Sequence, residues 1–264
     1  MSGKFGVIGA GLIGGSIAKS LASEVIVWDA DPKTIEAAKA HGIEVASSTD
    51  ELSNIVDLLV IAVPFDGFTD VFAQVQAAAS RREKPLLVTN VLSVMKHVEV
   101  TEPNIGFVAG HPMAGTEHSG FEAARAGLFA GATWVLAKAS EPLEDLVTRL
   151  GATAVVLSET DHNEAVARIS HLPHVLAAAQ LLAIADGDQS FALAASSFKD
   201  STRVAGTKPE LTAGMVGNNR EEVLRSIEAL KGVLEEFTDV LAAGNDESLT
   251  NLFERAKSLR DKNL

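Results

Sequence analysis

The sequence predicts an α/β fold, in which an N-terminal doubly wound parallel sheet is followed by an all-α C-terminal domain. Three observations predict it. Short apolar runs alternate with helical stretches up to about Glu159, the pattern of a parallel sheet with helices on both faces. A glycine-rich turn follows the first run. From Thr160 onward the strand pattern disappears and helical periodicity takes over. The expected division is residues 1–159 and 160–264.

The first strand is Phe5-Gly6-Val7-Ile8. Gly9-Ala10-Gly11-Leu12-Ile13-Gly14 follows as G-x-G-x-x-G and leads into a helix. This is the fingerprint of a Rossmann-type dinucleotide site. Gly9 permits the tight turn, Gly11 lets the backbone approach a pyrophosphate, and Gly14 allows close helix–strand packing. The amides of Leu12 and Ile13, at the start of the helix, complete the phosphate cradle. A second strand, Val25–Trp28, ends in Asp29, twenty positions after Gly9. A carboxylate there accepts hydrogen bonds from a ribose and repels a 2′-phosphate, so NAD is expected and NADP is the alternative. Lys33 is the nearest cation for a 2′-phosphate, opposed by Asp29 and Asp31. Further strands are read at Leu58–Val63, Leu86–Thr89, Gly106–Ala109, Thr133–Leu136 and Ala154–Leu157.

After the strand ending at Ala109 comes Gly110-His111-Pro112-Met113-Ala114-Gly115-Thr116-Glu117-His118-Ser119-Gly120. Pro112 and the glycines predict that regular structure stops there. Loops at the carboxyl ends of strands hold the ligands of open α/β sheets. His111, Thr116, His118 and Ser119 are therefore candidate site residues.

In the second half, Thr160-Asp161 offers a helix N-cap. Pro173 must distort the helix carrying Ser170-His171-Leu172-Pro173-His174, because it lacks the N–H that would bond Ile169. His171 and His174 share a face. They read as metal ligands lacking a third partner, as structural histidines, or as an anion site in a cleft. No metal is expected. Lys199 and Arg203, at i and i+4, add local positive charge. The clearest helix runs from Arg220 to about Leu241. Its apolar seam is Val223, Ile227, Leu230, Leu234, Phe237 and Leu241. Packing against the chain's own helices is the default, and a homodimer is the alternative.

Composition narrows the class. The 264 residues are 47% hydrophobic and contain no cysteine, so disulfides and thiolate metal sites are excluded. A formal net charge of −13 argues against nucleic acid and anionic membranes as partners. A strand beginning at Phe5 leaves no room for a signal peptide. A cytoplasmic enzyme acting on a small molecule is the simplest expectation.

The segments GAGLIGGS at Gly9–Ser16, NVLSVMK at Asn90–Lys96, GHPMAGTEHSG at Gly110–Gly120, SHLPH at Ser170–His174 and KDSTRVAG at Lys199–Gly206 together resemble the prephenate/arogenate dehydrogenase family. The resemblance spans nearly the whole chain in the same motif order. It implies a helical dimerisation domain, NAD as cofactor and a role in tyrosine biosynthesis. The chain ending at Leu264 is expected to leave no room for a chorismate mutase or a regulatory ACT domain. In the implied reaction hydride leaves C4 of prephenate, the C4 hydroxyl loses its proton, carbon dioxide leaves C1, and the ring becomes aromatic. By the resemblance His111 is the base, and Ser93 holds His111 or the same hydroxyl. Arg203 binds a substrate carboxylate, and His171, His174 and Thr116 line the pocket. Imidazole, titrating near neutrality, suits the base's task. Leu92 departs from the glycine usual in the family and makes Ser93 the weakest of these assignments. Two rivals are a hydroxyacid or imine reductase type and a non-catalytic nucleotide sensor. The first places a lysine with an asparagine a turn later, whereas Lys199 is followed by Thr202.

Overall fold

The computed structural model describes residues 4–116, 118–184 and 189–264. Its main sheet has six parallel strands in the order β3-β2-β1-β4-β5-β6. The strands are β1 (Phe5–Ile8), β2 (Val25–Trp28), β3 (Glu44–Val45), β4 (Leu58–Ile61), β5 (Leu86–Asn90) and β6 (Ile105–Val108). The helices between them are α1 (Leu12–Leu21), α2 (Pro32–Ala40), α3 (Thr49–Ile55) and α4 (Phe65–Ala79). β1 and β4 are buried along their whole length, which explains their unbroken apolar sequences. One face of the sheet packs Ile17 of α1, and the other packs Leu52 of α3 and Phe72 of α4.

Three strands leave this sheet. β7 (Gly110–Pro112), β8 (Thr133–Leu136) and β9 (Thr153–Val156) form a second sheet, with β7 antiparallel to β8 and β9 parallel to it. α5 (Glu141–Arg149) connects β8 to β9. The sequence expectation of irregular structure from Gly110 onward is thus corrected. His111 sits mid-strand, paired with Val135. Pro112 is tolerated because a β-edge accepts a residue without an N–H. Gly110 makes the change of sheet. Its N–H donates to Asn90 Oδ1 at 3.2 Å, and a Cβ there would meet Asn90 O at 3.0 Å.

From Glu159 every regular element among the described residues is helical. α6 (Glu159–Val166) is capped by Ser158, whose hydroxyl accepts from Asp161 N–H, rather than by Thr160 or Asp161. A π-turn over Ala167–His171 follows, closed by Leu172 N–H on Ala167 O, and α7 (Leu172–Leu182) continues from it. The distortion expected around Pro173 takes this form, one wide turn just before the proline. α8 (Ser196–Thr202), α9 (Pro209–Asn218), α10 (Arg220–Ala242) and α11 (Asp246–Asn263) complete the chain. The apolar seam of α10 is only partly covered. Val223 is buried, but Leu234 is 53% exposed and Leu241 61% exposed. The expectation that the chain's own helices bury the seam therefore fails beyond its first turns, where among the described residues α11 lies alongside through Phe237 and Phe253.

Candidate active site

The β1–α1 turn has the shape its glycines demand. Gly9 has φ +90°, which disfavours any side chain. A Cβ at Gly14 would lie 1.9 Å from Gly9 O, so only glycine lets α1 pack this closely. Among the described residues nothing lies within 4 Å of a Cβ position at Gly11, and no side chain caps α1. The first amides of α1, at Leu12 and Ile13, therefore begin an open, positively polarised helix end. Asp29 Oδ2 accepts from Ala10 N–H at 2.7 Å, and Oδ1 accepts from Asp31 N–H at 2.8 Å. Each oxygen keeps a lone pair for a further donor. A cavity of about 400 Å³ beside it is lined by Trp28, Asp29, Ala30, Pro32, Val45 and Ser47.

A group of imidazoles forms the second part of the site. His111 of β7 shares a hydrogen bond between its Nδ1 and Nε2 of His162, at 2.9 Å. His162 lies on α6 and is 1% exposed. Its Nδ1 is 3.0 Å from Asn163 Oδ1. The Asn163 side chain pairs with the backbone of Met95, accepting from its N–H at 2.9 Å and donating to its C=O at 2.6 Å. Asn219 Nδ2 donates to Asn163 O at 2.8 Å and lies 3.2 Å from His171 Nδ1. Among the described residues, the imidazole nitrogens buried without a hydrogen-bonding partner are His171 Nε2 and His174 Nδ1.

These imidazoles are held neutral. Burial, then the neighbouring His162 and His171, pushes His111 down to about 3. Burial, then His162 and His174, pushes His171 down to about 4. Burial lowers His162 against the opposing Asn163 hydrogen bond. Burial also lowers His174, helped by Arg203 and opposed by a backbone hydrogen bond at Val204. The expected titration of His111 near neutrality is corrected accordingly: charging a buried imidazole among others is unfavourable.

The remaining sequence candidates fall around this group. His171 sits in the π-turn, and His174 follows one turn into α7. Arg203 acts electrostatically on His174 and is itself exposed, as is Lys199. Thr116 is exposed, and its hydroxyl accepts from His118 N–H at 3.2 Å. Ser119 receives a 2.6 Å hydrogen bond from Lys208 of the helical half. Glu117 lies outside the described residues. Ser93 is half-buried, and its hydroxyl makes no hydrogen bond among the described residues. The hydrogen bond that holds His111 comes from His162 instead, which corrects that part of the expectation for Ser93. Sequence reasoning missed His162, Asn163 and Asn219.

Residues 13–159 match the model of the nucleotide-binding domain of prephenate dehydrogenase, and residues 158–255 match that of its dimerization domain. The prephenate dehydrogenase of Lactococcus lactis subsp. cremoris strain MG1363 is 29% identical over 96% of this chain and 75% of its own length. The structure of Synechocystis arogenate dehydrogenase is 28% identical, covers 99% of this chain and 100% of that one, and superposes with a TM-score of 0.83. The structure of prephenate dehydrogenase from A. aeolicus, in complex with hydroxyphenyl propionate and NAD+, shares the fold. It has a TM-score of 0.88 at 24% identity and covers 99% of this chain and 98% of that one. With the two domain models matched over residues 13–159 and 158–255, the chain belongs to the prephenate dehydrogenase family.

Proposed function

We propose that the protein catalyses NAD-dependent oxidative decarboxylation of prephenate to 4-hydroxyphenylpyruvate. The observation that carries this reading is His111. It is a neutral imidazole, fixed by hydrogen bond at the junction of a nucleotide-binding half and a helical half. The proposed division lies between residues 159 and 160.

The residues present fit a dinucleotide. The space over Gly11, the uncapped start of α1 and the free lone pairs of Asp29 suit a pyrophosphate and a ribose diol. Gly9, Gly11, Leu12, Ile13, Gly14 and Asp29 would hold it, and Asp29 favours NAD over NADP. When bound, the cofactor supplies the acceptor for the hydride that leaves C4. The protein's own task is the proton. His111 Nε2 accepts the proton of the C4 hydroxyl as that carbon becomes carbonyl-like. Loss of carbon dioxide from C1 then returns the bonding electrons to the ring, which aromatises. Ser93 would orient the same hydroxyl. Arg203 would clamp a carboxylate in forked geometry. His171 Nε2 and His174 Nδ1, buried and without a partner among the described residues, would receive the substrate's polar side chain together with Thr116.

The exposed apolar stripe of the helical half supports a homodimer formed there. Besides Leu234 and Leu241 of α10, Phe253 is 61% exposed and Leu259 62% exposed on α11. Stripes of this kind on paired helices are normally covered by another helix.

The test of the activity is NADH formation, followed by absorbance, with prephenate and with arogenate in turn. Each substrate is supplied with NAD and then with NADP. Prephenate with NAD should give the highest kcat/KM. A higher kcat/KM with arogenate would reassign the substrate, and a strong preference for NADP would overturn the role of Asp29. No reduction with either substrate would leave a nucleotide sensor as the reading.

A further inference from the structure

We propose that Asn163 is a positioning residue: through His162 it fixes the tautomer of His111 so that Nε2 carries the free lone pair. This role rests on the reading of His111 as the base.

Met95 offers one N–H and one C=O, and neither can exchange roles. The Asn163 side chain meets both, at 2.9 and 2.6 Å. Its amide can therefore lie only one way round, with Oδ1 toward Met95 N–H and Nδ2 toward Met95 O. That places an acceptor, Oδ1, 3.0 Å from His162 Nδ1. His162 Nδ1 must carry the proton. A neutral His162 then has a bare Nε2, which faces His111 Nδ1 at 2.9 Å. His111 Nδ1 must in turn donate. The proton of neutral His111 is thereby placed on Nδ1, and Nε2 is left basic.

The opposite arrangement is penalised at each link. If His111 carried its proton on Nε2, then His162 Nε2 would have to be the donor. His162 Nδ1 would then be bare against Asn163 Oδ1, two acceptors 3.0 Å apart. Turning the Asn163 amide over would relieve that contact and create two others, N–H against N–H and C=O against C=O at Met95. Protonating His162 on both nitrogens is opposed by its burial. The relay also joins the two halves of the chain. Met95 and His111 belong to the sheet-bearing half, while His162 and Asn163 belong to α6. The base is thus correctly set only when α6 is docked.

The decisive measurement is long-range 15N–1H correlation NMR of the imidazoles in the full-length protein without substrate. The histidines are assigned by single substitutions. The wild type should show His111 and His162 both protonated on Nδ1. Asn163→Leu, which removes the acceptor, should return His111 to a mixture or to the Nε2–H form. Its kcat should fall about tenfold or more with KM within about threefold, because a wrongly placed proton removes the base without removing binding. A wild-type spectrum with His111 protonated on Nε2 would overturn the proposal. So would Asn163→Leu with unchanged tautomer and unchanged kcat. The NMR result is independent of turnover. Protein with the expected tautomers but no activity on prephenate would refute the proposed function and leave the relay standing.

Discussion

Acidification from pH 7 to pH 5 should destabilise this protein chiefly through its histidines. Native His111 and His171 are pushed from 6.5 to about 3 and about 4, whereas in the unfolded chain both titrate near 6.5. A native pKa below the unfolded one means that the unfolded state binds the proton first. Stability is therefore full above about pH 6.5 and is lost as pH falls toward the native values. At pH 5 each group lies about 1.5 pH units below its unfolded pKa and still above its native one. At about 1.4 kcal/mol per pH unit, each costs about 2 kcal/mol, and the pair about 4 kcal/mol. That is a large share of the 5–15 kcal/mol typical of a folded protein. Burial moves His162 and His174 in the same direction. The assay is urea unfolding at both pH values, followed by fluorescence, with Trp134 (1% exposed) as an internal reporter. The wild type is compared with His111→Asn and His171→Asn at matched protein concentration. In each variant the loss on acidification should shrink by about 2 kcal/mol with an unchanged urea slope. Equal losses in all three proteins would mean that these imidazoles titrate normally in the native state. The argument from burial would then fail.

Three other outcomes follow from the site. His111→Asn should lower kcat by roughly 10²–10⁴-fold with the fold intact by circular dichroism. In the free enzyme the acid limb of kcat/KM assigned to His111 should lie well below neutrality, as its depressed pKa requires, and a His111-dependent limb at pH 6.5 would contradict the geometry. Arg203→Ala should raise KM far more than it lowers kcat, Arg203→Lys should recover part of the loss, and Lys199→Ala should have little effect; an unchanged KM in Arg203→Ala would move the anchor to His171 and His174. Leu241→Glu, on the exposed end of the α10 seam, should shift the protein toward monomer in light scattering, and an unchanged mass would place the interface elsewhere.

Much of the nucleotide half was legible because local chemistry dictates it. The apolar runs, the three glycines and Asp29 each impose a geometry regardless of what lies far away in the chain. The short strands were harder. β3 is two residues long, and β7 contains a glycine and a proline, so neither carries a strand composition. β7 exists because β8 pairs with it, which is tertiary information. The imidazole group was hidden for a related reason. At about 100° per residue, the nine positions from His162 to His171 put them on opposite faces of an unbroken α-helix. The π-turn at Ala167–His171 turns through less than that and brings both to one site. Sequence periodicity assumes a uniform helix and cannot show it. Such wide turns are frequent at functional sites because they re-aim side chains in this way.

A base with its pKa near 3 is weak, and the proposed reaction explains why weakness is tolerable. Proton transfer is efficient when the base matches the acidity of the group it serves at the moment of transfer. A resting secondary alcohol would demand a strong base. As hydride leaves C4, however, the oxygen there becomes the oxygen of a protonated carbonyl, which is strongly acidic. Departure of carbon dioxide and aromatisation then remove any return path. Under those conditions availability of the lone pair matters more than its strength. Burial among His162 and His171 keeps His111 unprotonated throughout the working range, and the hydrogen bond to His162 stabilises the imidazolium once it forms. The same burial that weakens the base also guarantees that it is free, at a cost in acid stability that the urea titration measures.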